Sequence, residues 1–352
     1  MNIPHNIYIH VPFCISKCKY CAFWSVANRA PDWDGYADAI ISEIHSWGQK
    51  LGRANVPTIF WGGGTPSLMP VAVFDRIMGA IRKNFDVTDA TEITLESNPG
   101  TLDGARLHEF MTAGVNRLSV GVQSFDDTRL AFLGRKHTAH DAIQLISSAM
   151  NMGLNVSGDF IYGLPNDTTN DIIATCRQIN EMGIKHCSMY ELTIEPDTSF
   201  GKMNLDMPSN EVMADMYMAI SDTLRLPRYE VSNYAAPGYE CQHNQNVWDG
   251  DAYIGIGRGA AGRIYIGDTW YQQRGAGAEF TPIDAHTRAT EKVITGMRQV
   301  RGVKLTPDVL DIIDKKYIDM HPELVQYSAD NRLSVTRDGM LILDDLILDL
   351  IG

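Results

Sequence analysis

Positive charge is scarce in this sequence: 30 Lys and Arg stand against 43 Asp and Glu in 352 residues, a formal net charge of −13. Polyanions are bound through a basic footprint, so no nucleic acid partner is expected. Long apolar runs are absent as well. The most hydrophobic stretch near the end, Met340 to Ile351, is interrupted by Asp344, Asp345 and Asp349. No transmembrane segment is therefore expected, which leaves only peripheral contact with a membrane open. Residues 1–10 carry neither a basic stretch nor a sustained apolar core, so no secretory signal is read and a cytoplasmic setting is expected. Cysteine is sparse too, six in all, yet three of them fall within eight residues. Thiols crowded together in a reducing compartment point to metal or redox chemistry rather than disulfides.

What is present is length and rhythm. At roughly 100–200 residues per domain, the chain predicts two domains, or one barrel with an appendage. Strand-like runs occur at Ile7–His10, Thr58–Trp61, Glu92–Glu96, Arg117–Gly121, Asn155–Ile161 and His186–Leu192. Helix-like stretches lie between them: Trp33–Lys50, Val71–Asn84, Asp103–Ala113, Ala139–Met152 and Thr169–Met182. Gly153 and Gly183 stand where helix C-caps are expected. Such β–α alternation implies a parallel sheet, either open or closed into a full or partial barrel, with its chemistry at the C-terminal ends of the strands. The rhythm fades near Pro208. A helix over Asn210–Leu224 precedes a Gly-, Asn- and aromatic-rich stretch, Tyr229–Arg274. A closing unit reads as helix (Val309–Lys316), strand (Arg332–Thr336) and helix (Leu341–Ile351), an α+β, winged-helix-like pattern. The divisions expected are 1–207, 208–300 and 301–352.

Cys14, Cys18 and Cys21 follow the first strand as Cys-x3-Cys-x2-Cys. Three thiolates so spaced can ligate three irons of a [4Fe–4S] cube and leave the fourth iron open to a ligand. Zinc completed by His10 is the competing reading, but the second ligand pair usual for zinc is missing. The other strand ends are polar. Gly62-Gly63-Gly64-Thr65 allows close backbone approach and bare hydrogen-bonding groups. Glu96 ends strand three, Gln123 follows strand four, Arg135 lies just beyond it, and Asp159 sits on strand five. The string Gly257–Gly262 spells a dinucleotide fingerprint, but it leads into a strand-like run rather than a helix, so nucleotide binding is not expected there. Cys176 and Cys187 lie in apolar contexts and are expected to be buried.

The cysteine triplet, with Tyr20 before its last member, resembles the radical S-adenosylmethionine (SAM) superfamily. His10–Cys14, Gly62–Ser67, Gly121–Phe125, Arg135 and Asp159–Pro165 resemble its oxygen-independent coproporphyrinogen III oxidase group, over nearly the whole chain. The resemblance implies a partial (β/α)6 TIM-like barrel, a [4Fe–4S] cluster on Cys14, Cys18 and Cys21, and SAM cleaved to a 5′-deoxyadenosyl radical. It implies a SAM site of Tyr8, Tyr20, Gly63, Gly64, Thr65, Glu96, Gln123, Arg135 and Asp159. The oxidase branch, which decarboxylates coproporphyrinogen III to protoporphyrinogen IX, carries a further Cys where this chain has Phe23. The heme chaperone branch carries His-Asn-x-x-Tyr-Trp, matched here by His243 to Trp248 with Val247 at the Tyr position. A second departure is Ala261, where relatives often show His. The chaperone reading makes heme the cargo, with His243, Cys241 and Trp248 as its contacts, and an apo-hemoprotein acceptor or a heme donor as partner. Oligomeric state is not legible in the sequence.

Overall fold

The computed structural model describes residues 3–275 and 279–351. Six strands form where the alternation places them: β1 (Asn6–Val11), β2 (Thr58–Gly63), β3 (Glu92–Ser97), β4 (Arg117–Gln123), β5 (Asn155–Tyr162) and β6 (His186–Glu191). Each pairs in parallel with the next. The crossovers are α1 (Trp33–Leu51), α2 (Val71–Asn84), α3 (Gly104–Thr112), α4 (Asp127–Leu133) with α5 (Ala139–Asn151), and α6 (Thr169–Met182). α1 shows why such segments are helical. Ala37, Ile40, Ile44, Trp47 and Leu51 recur at three- and four-residue spacing and are the residues it buries, while the Asp32 carboxylate caps its first turn. α5 and α6 open on reciprocal capping boxes, Thr138 with Asp141 and Thr168 with Asp171. Gly153 and Gly183 take positive φ, 84° and 70°, just past those helices, as expected of C-terminal caps. Cys176 and Cys187 are fully buried.

Two positions of the alternation differ from the sequence expectation. α4 is absent from it, being seven residues with only Leu130 and Leu133 buried, too short a stripe to stand out. The closing unit splits what reads as one helix over Val309–Lys316, as described below.

Beyond α7 (Asn210–Thr223) the sheet grows at both edges. β7 (Asn233–Ala235) joins β6 antiparallel, whereas β8 (Tyr253–Ile256) joins β1 in parallel. Three antiparallel strands then extend the β8 side: β9 (Ala261–Ile266), β10 (Thr269–Arg274) and β11 (Glu279–Ile283). The GxGxxG string is thus the turn from β8 into β9, strand to strand, which is no place for a dinucleotide. Among the described residues β1 and β6 do not pair, so the six-stranded wall is an open, partial barrel.

The motif stretch after Tyr229 is not a loop. Gln242–Trp248 forms α8, set against the N-terminal ends of the strands. Its first turn is fastened by Glu92, the first residue of β3, whose carboxylate accepts from Gln242 N (3.1 Å) and His243 N (3.0 Å). Asn246 donates to Asn6 at the start of β1 (2.9 Å). Local propensity is poor there; the cap comes from a residue about 150 positions away.

A second core runs from Val293 to Leu350. It gathers α9 (Ala285–Gly296), α10 (Pro307–Leu310), α11 (Lys315–Met320) and α12 (Leu343–Ile351) with a small antiparallel sheet, β12 (Val303–Lys304), β13 (Val325–Tyr327) and β14 (Arg332–Val335), in order β12-β14-β13. α10 and α11 are separate because Asp314 caps the second, accepting from Lys316 N (2.8 Å) and Tyr317 N (3.3 Å). We propose the divisions at 207/208 and 300/301 with one refinement: Val293 and Met297 pack into the closing unit, so its core begins within α9. No helix among the described residues is long and apolar enough to cross a membrane.

Glu92→Gln tests the α8 anchor. An amide aims a donor at N–H groups that need acceptors, so a loss of about 1–3 kcal/mol is expected as a lower urea midpoint. An unchanged midpoint contradicts the anchor.

Candidate functional site

Strand alternation decides what faces the barrel interior. On β4, Leu118, Val120 and Val122 are fully buried beneath helices, while Arg117, Ser119, Gly121 and Gln123 line a cavity of about 480 Å³. The same cavity is lined by Cys14, Cys18, Tyr20, Cys21, Gly63, Gly64, Thr65, Glu96, Arg135 and Asp159. Of the residues expected around SAM, only Tyr8 stands aside. Its hydroxyl is bonded to His10 Nδ1 (3.0 Å) and its ring stacks on Phe60.

The thiols are held by a short polar network. Thr65 Oγ1 donates to Cys14 Sγ (3.7 Å) and Arg135 Nη1 to Cys18 Sγ (3.5 Å). Asn98 ties the two together, donating to Thr65 Oγ1 (2.9 Å) and accepting from Arg135 Nη2, which also donates to Gly121 O (2.7 Å). Burial pushes the Cys14 and Cys21 thiols above their ordinary range, so metal loading must release their protons. The zinc reading fails here. Both ring nitrogens of His10 are engaged, Nε2 with Trp24 O (2.8 Å) and Nδ1 with Tyr8. Among the described residues no three His, Cys, Asp or Glu side chains close on a single ion. The three thiols line one cavity.

The glycines act differently from the expectation that they leave groups bare for a ligand. Gly63 N donates to Glu96 Oε2 (3.1 Å), Gly64 N to Val11 O (2.7 Å) and Thr65 N to Phe13 O (2.8 Å). A Cβ on Gly64 would lie 2.7 Å from Phe13 O, so glycine there lets β2 approach the backbone that carries the cysteine loop. Gln123 holds φ of 66°, beside a register shift between β4 and β5. Bulges of this kind re-aim side chains at sites.

Asp159 accepts from three hydroxyls: Ser119 (2.6 Å), Ser157 (3.0 Å) and Ser188 (2.8 Å). Burial, reinforced by the charge of Asp159, pushes Glu96 up to about 8, so it is largely protonated at neutral pH. These serines, Asn98 and Arg117 escape sequence reasoning. The signal for them is present nonetheless, in polar residues at every second position of strands that are otherwise apolar.

The residues expected around heme are not gathered at an open face. His243 is buried against Phe60 (ring centroids 5.1 Å) with Nδ1 bonded to Thr58 Oγ1 (2.7 Å). Cys241 is buried beside Glu92, which lies 3.8 Å from its Sγ, and burial lifts its thiol to about 12. Trp248 lies at the far end of α8, lining a smaller cavity of about 220 Å³ with Lys292, Lys304 and Arg332. Asn244 of the same helix does reach the main cavity.

Residues 8–179 match the model of the radical SAM superfamily. The heme chaperone HemW of Escherichia coli is 37% identical over 270 residues, covering 75% of this chain and 71% of that protein. The heme chaperone HemW of Lactococcus lactis is 33% identical, covering 96% of this chain and 94% of its own. The chain belongs to the HemW family of radical SAM proteins. Its fold matches a solved structure, the coproporphyrinogen III oxidase HemN of Escherichia coli, with TM-score 0.84 at 22% identity over 100% of this chain and 91% of that one. The radical SAM cofactors, a [4Fe–4S] cluster and SAM, come with the family, and when bound they supply one-electron cleavage of the SAM sulfonium. We propose Cys14, Cys18 and Cys21 as the cluster ligands and the strand-end residues named above as the SAM site.

Gly64→Ala is expected to displace the cysteine loop without unfolding the barrel. Iron per chain and the broad visible absorbance should fall several-fold while far-ultraviolet circular dichroism is kept; full iron loading refutes the close-approach argument. Glu96 sets a pH dependence. Its folded-state value of about 8 lies above that of an unfolded Glu, so the folded cofactor-free protein holds an extra proton between those limits and loses stability as pH rises through them. The melting temperature should fall more from pH 5 to pH 8 in wild type than in Glu96→Gln. Equal slopes contradict the assignment.

Proposed function

We propose that this chain is a heme carrier of the radical SAM type, binding heme and handing it to an apo-hemoprotein, in a cytoplasmic setting. The observation that carries the reading is the state of His243 within α8. Thr58 Oγ1 donates to Asn6 Oδ1 (2.8 Å), so toward His243 it acts as acceptor and Nδ1 carries the proton. Burial, with the nearby Arg117 charge, pushes the imidazole down to about 3, so it is neutral with Nε2 as its basic nitrogen. That is the protonation state and tautomer a metal ligand needs, fixed by an outer hydrogen bond. The next residue, Asn244, shares the main cavity with the three thiols. Cys241 is a thiol at neutral pH and the weaker candidate. Phe23, 70% exposed at the mouth, cannot supply the additional thiol of the oxidase branch, which supports a carrier over an oxidase.

Heme titration followed at the Soret band tests this. Wild type should bind stoichiometrically, and His243→Ala should lose the bound-heme spectrum. Thr58→Val, which removes the outer hydrogen bond to His243 along with the Thr58–Asn6 bond, should weaken binding about 10–100-fold. An unchanged titration in His243→Ala removes that residue as ligand. Turnover of coproporphyrinogen III by the cluster-loaded protein with SAM and reductant would overturn the carrier reading.

A further inference from the structure

A continuous run of side-chain hydrogen bonds joins two of the three thiols: Cys14, Thr65, Asn98, Arg135, Cys18. Its middle member, Asn98, is held firmly just beyond β3. Its carbonyl accepts from Thr101 N (3.1 Å) and Thr101 Oγ1 (2.6 Å). Glycine at position 121 leaves room for its amide, since a Cβ there would lie 2.9 Å from both Asn98 Oδ1 and Arg135 Nη2. Thr65 is equally fixed, 3% exposed with its N–H bonded to Phe13 O. Arg135 is anchored on Gly121 O (2.7 Å) and lies beside the Tyr20 hydroxyl.

One residue sets the direction of every bond in this run. Arg135 carries donors only, so the Asn98 oxygen faces it and the amide nitrogen faces Thr65. Thr65 Oγ1 therefore accepts from Asn98, and its own proton is turned to Cys14 Sγ, 3.7 Å away. The Ser25 hydroxyl bonds the same sulfur, and Arg135 Nη1 donates to Cys18 Sγ (3.5 Å). Donors aimed at both sulfurs suit thiolates, the form in which cysteine binds a metal.

We propose that Asn98 is a positioning residue for the cluster: by fixing the Thr65 hydroxyl as a donor to Cys14 Sγ, it raises the reduction potential of a cluster bound there. Hydrogen bonds to ligand sulfurs tune that potential. The reduced cluster carries one electron more than the oxidised one, so a donated proton stabilises the reduced form the more strongly. Asn98 touches no thiol itself and acts only through Thr65, which distinguishes it from Arg135. The proposal rests on Cys14, Cys18 and Cys21 as the cluster ligands.

The midpoint potential of the cluster-loaded protein, measured without SAM by visible absorbance and electron paramagnetic resonance, tests this. Asn98→Asp keeps the shape but presents an acceptor to Thr65, so the hydroxyl turns from the sulfur to the carboxylate. The equilibrium between oxidised and reduced cluster should move about tenfold toward the oxidised form, about 59 mV for one electron. Thr65→Val, which removes the hydroxyl, should lower the potential as well. The added charge acts by itself, so the same step is repeated in the Thr65→Val background, where Asn98→Asp should shift the potential less than in wild type. Asn98→Leu removes the amide without adding charge and should lower the potential by a smaller step, which keeps the test open should Asn98→Asp fail to load iron. Iron content and circular dichroism equal to wild type establish that a variant holds its cluster and fold. Equal shifts in the two backgrounds, or an unchanged potential in Thr65→Val or Asn98→Leu, overturn the role of Asn98. Iron retained in Cys14→Ala overturns the cluster assignment instead, and the proposal with it.

Discussion

The site depends on how closely two backbones approach each other. Val11 and Phe13 accept hydrogen bonds from Gly64 and Thr65, so the end of β1 continues as a paired strand into the start of the cysteine loop. A side chain at position 64 would occupy the space of those carbonyls. The other flank of the loop is fastened in the same manner. Lys19 N donates to Leu133 O (3.1 Å) at the end of α4, and Lys19 O accepts from Phe200 N (2.9 Å). α4 ends at Gly134 in the left-handed region, φ 81°, and the next residue is Arg135, which reaches Cys18. Backbone bonds thus set the loop, and the side chains that touch the thiols grow from the same anchor points. Positioning of this kind lies with the chain, while the radical chemistry belongs to its cofactors.

A polar barrel interior is expensive unless each group is bonded, and most of these are. Asp159 takes three serine hydroxyls, and Glu92 takes the first turn of α8. His186 is held between Ser157 (2.8 Å) and Tyr229 (2.8 Å). Against that background Glu96 differs, kept protonated by burial and the charge of Asp159, while Arg117, beside the Glu92 and Asp159 charges, leaves its Nε without an acceptor. A cavity whose walls are fixed by internal bonds, yet which keeps a neutral acid and a donor without an acceptor, has polar groups left over for a ligand.

How much of this is legible in the sequence follows from where the determining contacts lie. Val71–Asn84 and Thr169–Met182 match their helices residue for residue, since periodicity and caps are local. The cysteine triplet and the strand-end polar residues are legible for the same reason, each sitting at a boundary that its neighbours announce. α8 is not, because its cap is Glu92, a residue of another strand. Nor is the use of the glycine run, which depends on the loop from β1 lying against it. Tyr8 belongs to the pattern by position but is drawn to His10 by a contact two residues along its own strand. Arg117 reads as an ordinary strand-starting residue; only the pairing of β3, β4 and β5 brings it into the cavity wall beside the charges of Glu92 and Asp159.

If the carrier reading holds, the placement of α8 governs how heme and cluster chemistry would meet. The outward side of this helix is closed to a ligand, because its first turn is bound by Glu92 and Asn246 is bound to Asn6. Reaching His243 from outside would mean breaking all of these. The cavity side differs: Asn244 and Phe60 form part of its wall, and the His243 ring lies against Phe60. On the proposed reading, a ligand of His243 would approach past Phe60 and Asn244, from the compartment that also holds the three thiols. About 480 Å³ lies within the usual range for one drug-sized ligand. A macrocycle and SAM together would have to extend to the mouth, where Phe23 offers an exposed apolar side chain. On the proposed carrier reading, cofactor and cargo would be neighbours in one compartment, and occupancy by one would alter the affinity for the other.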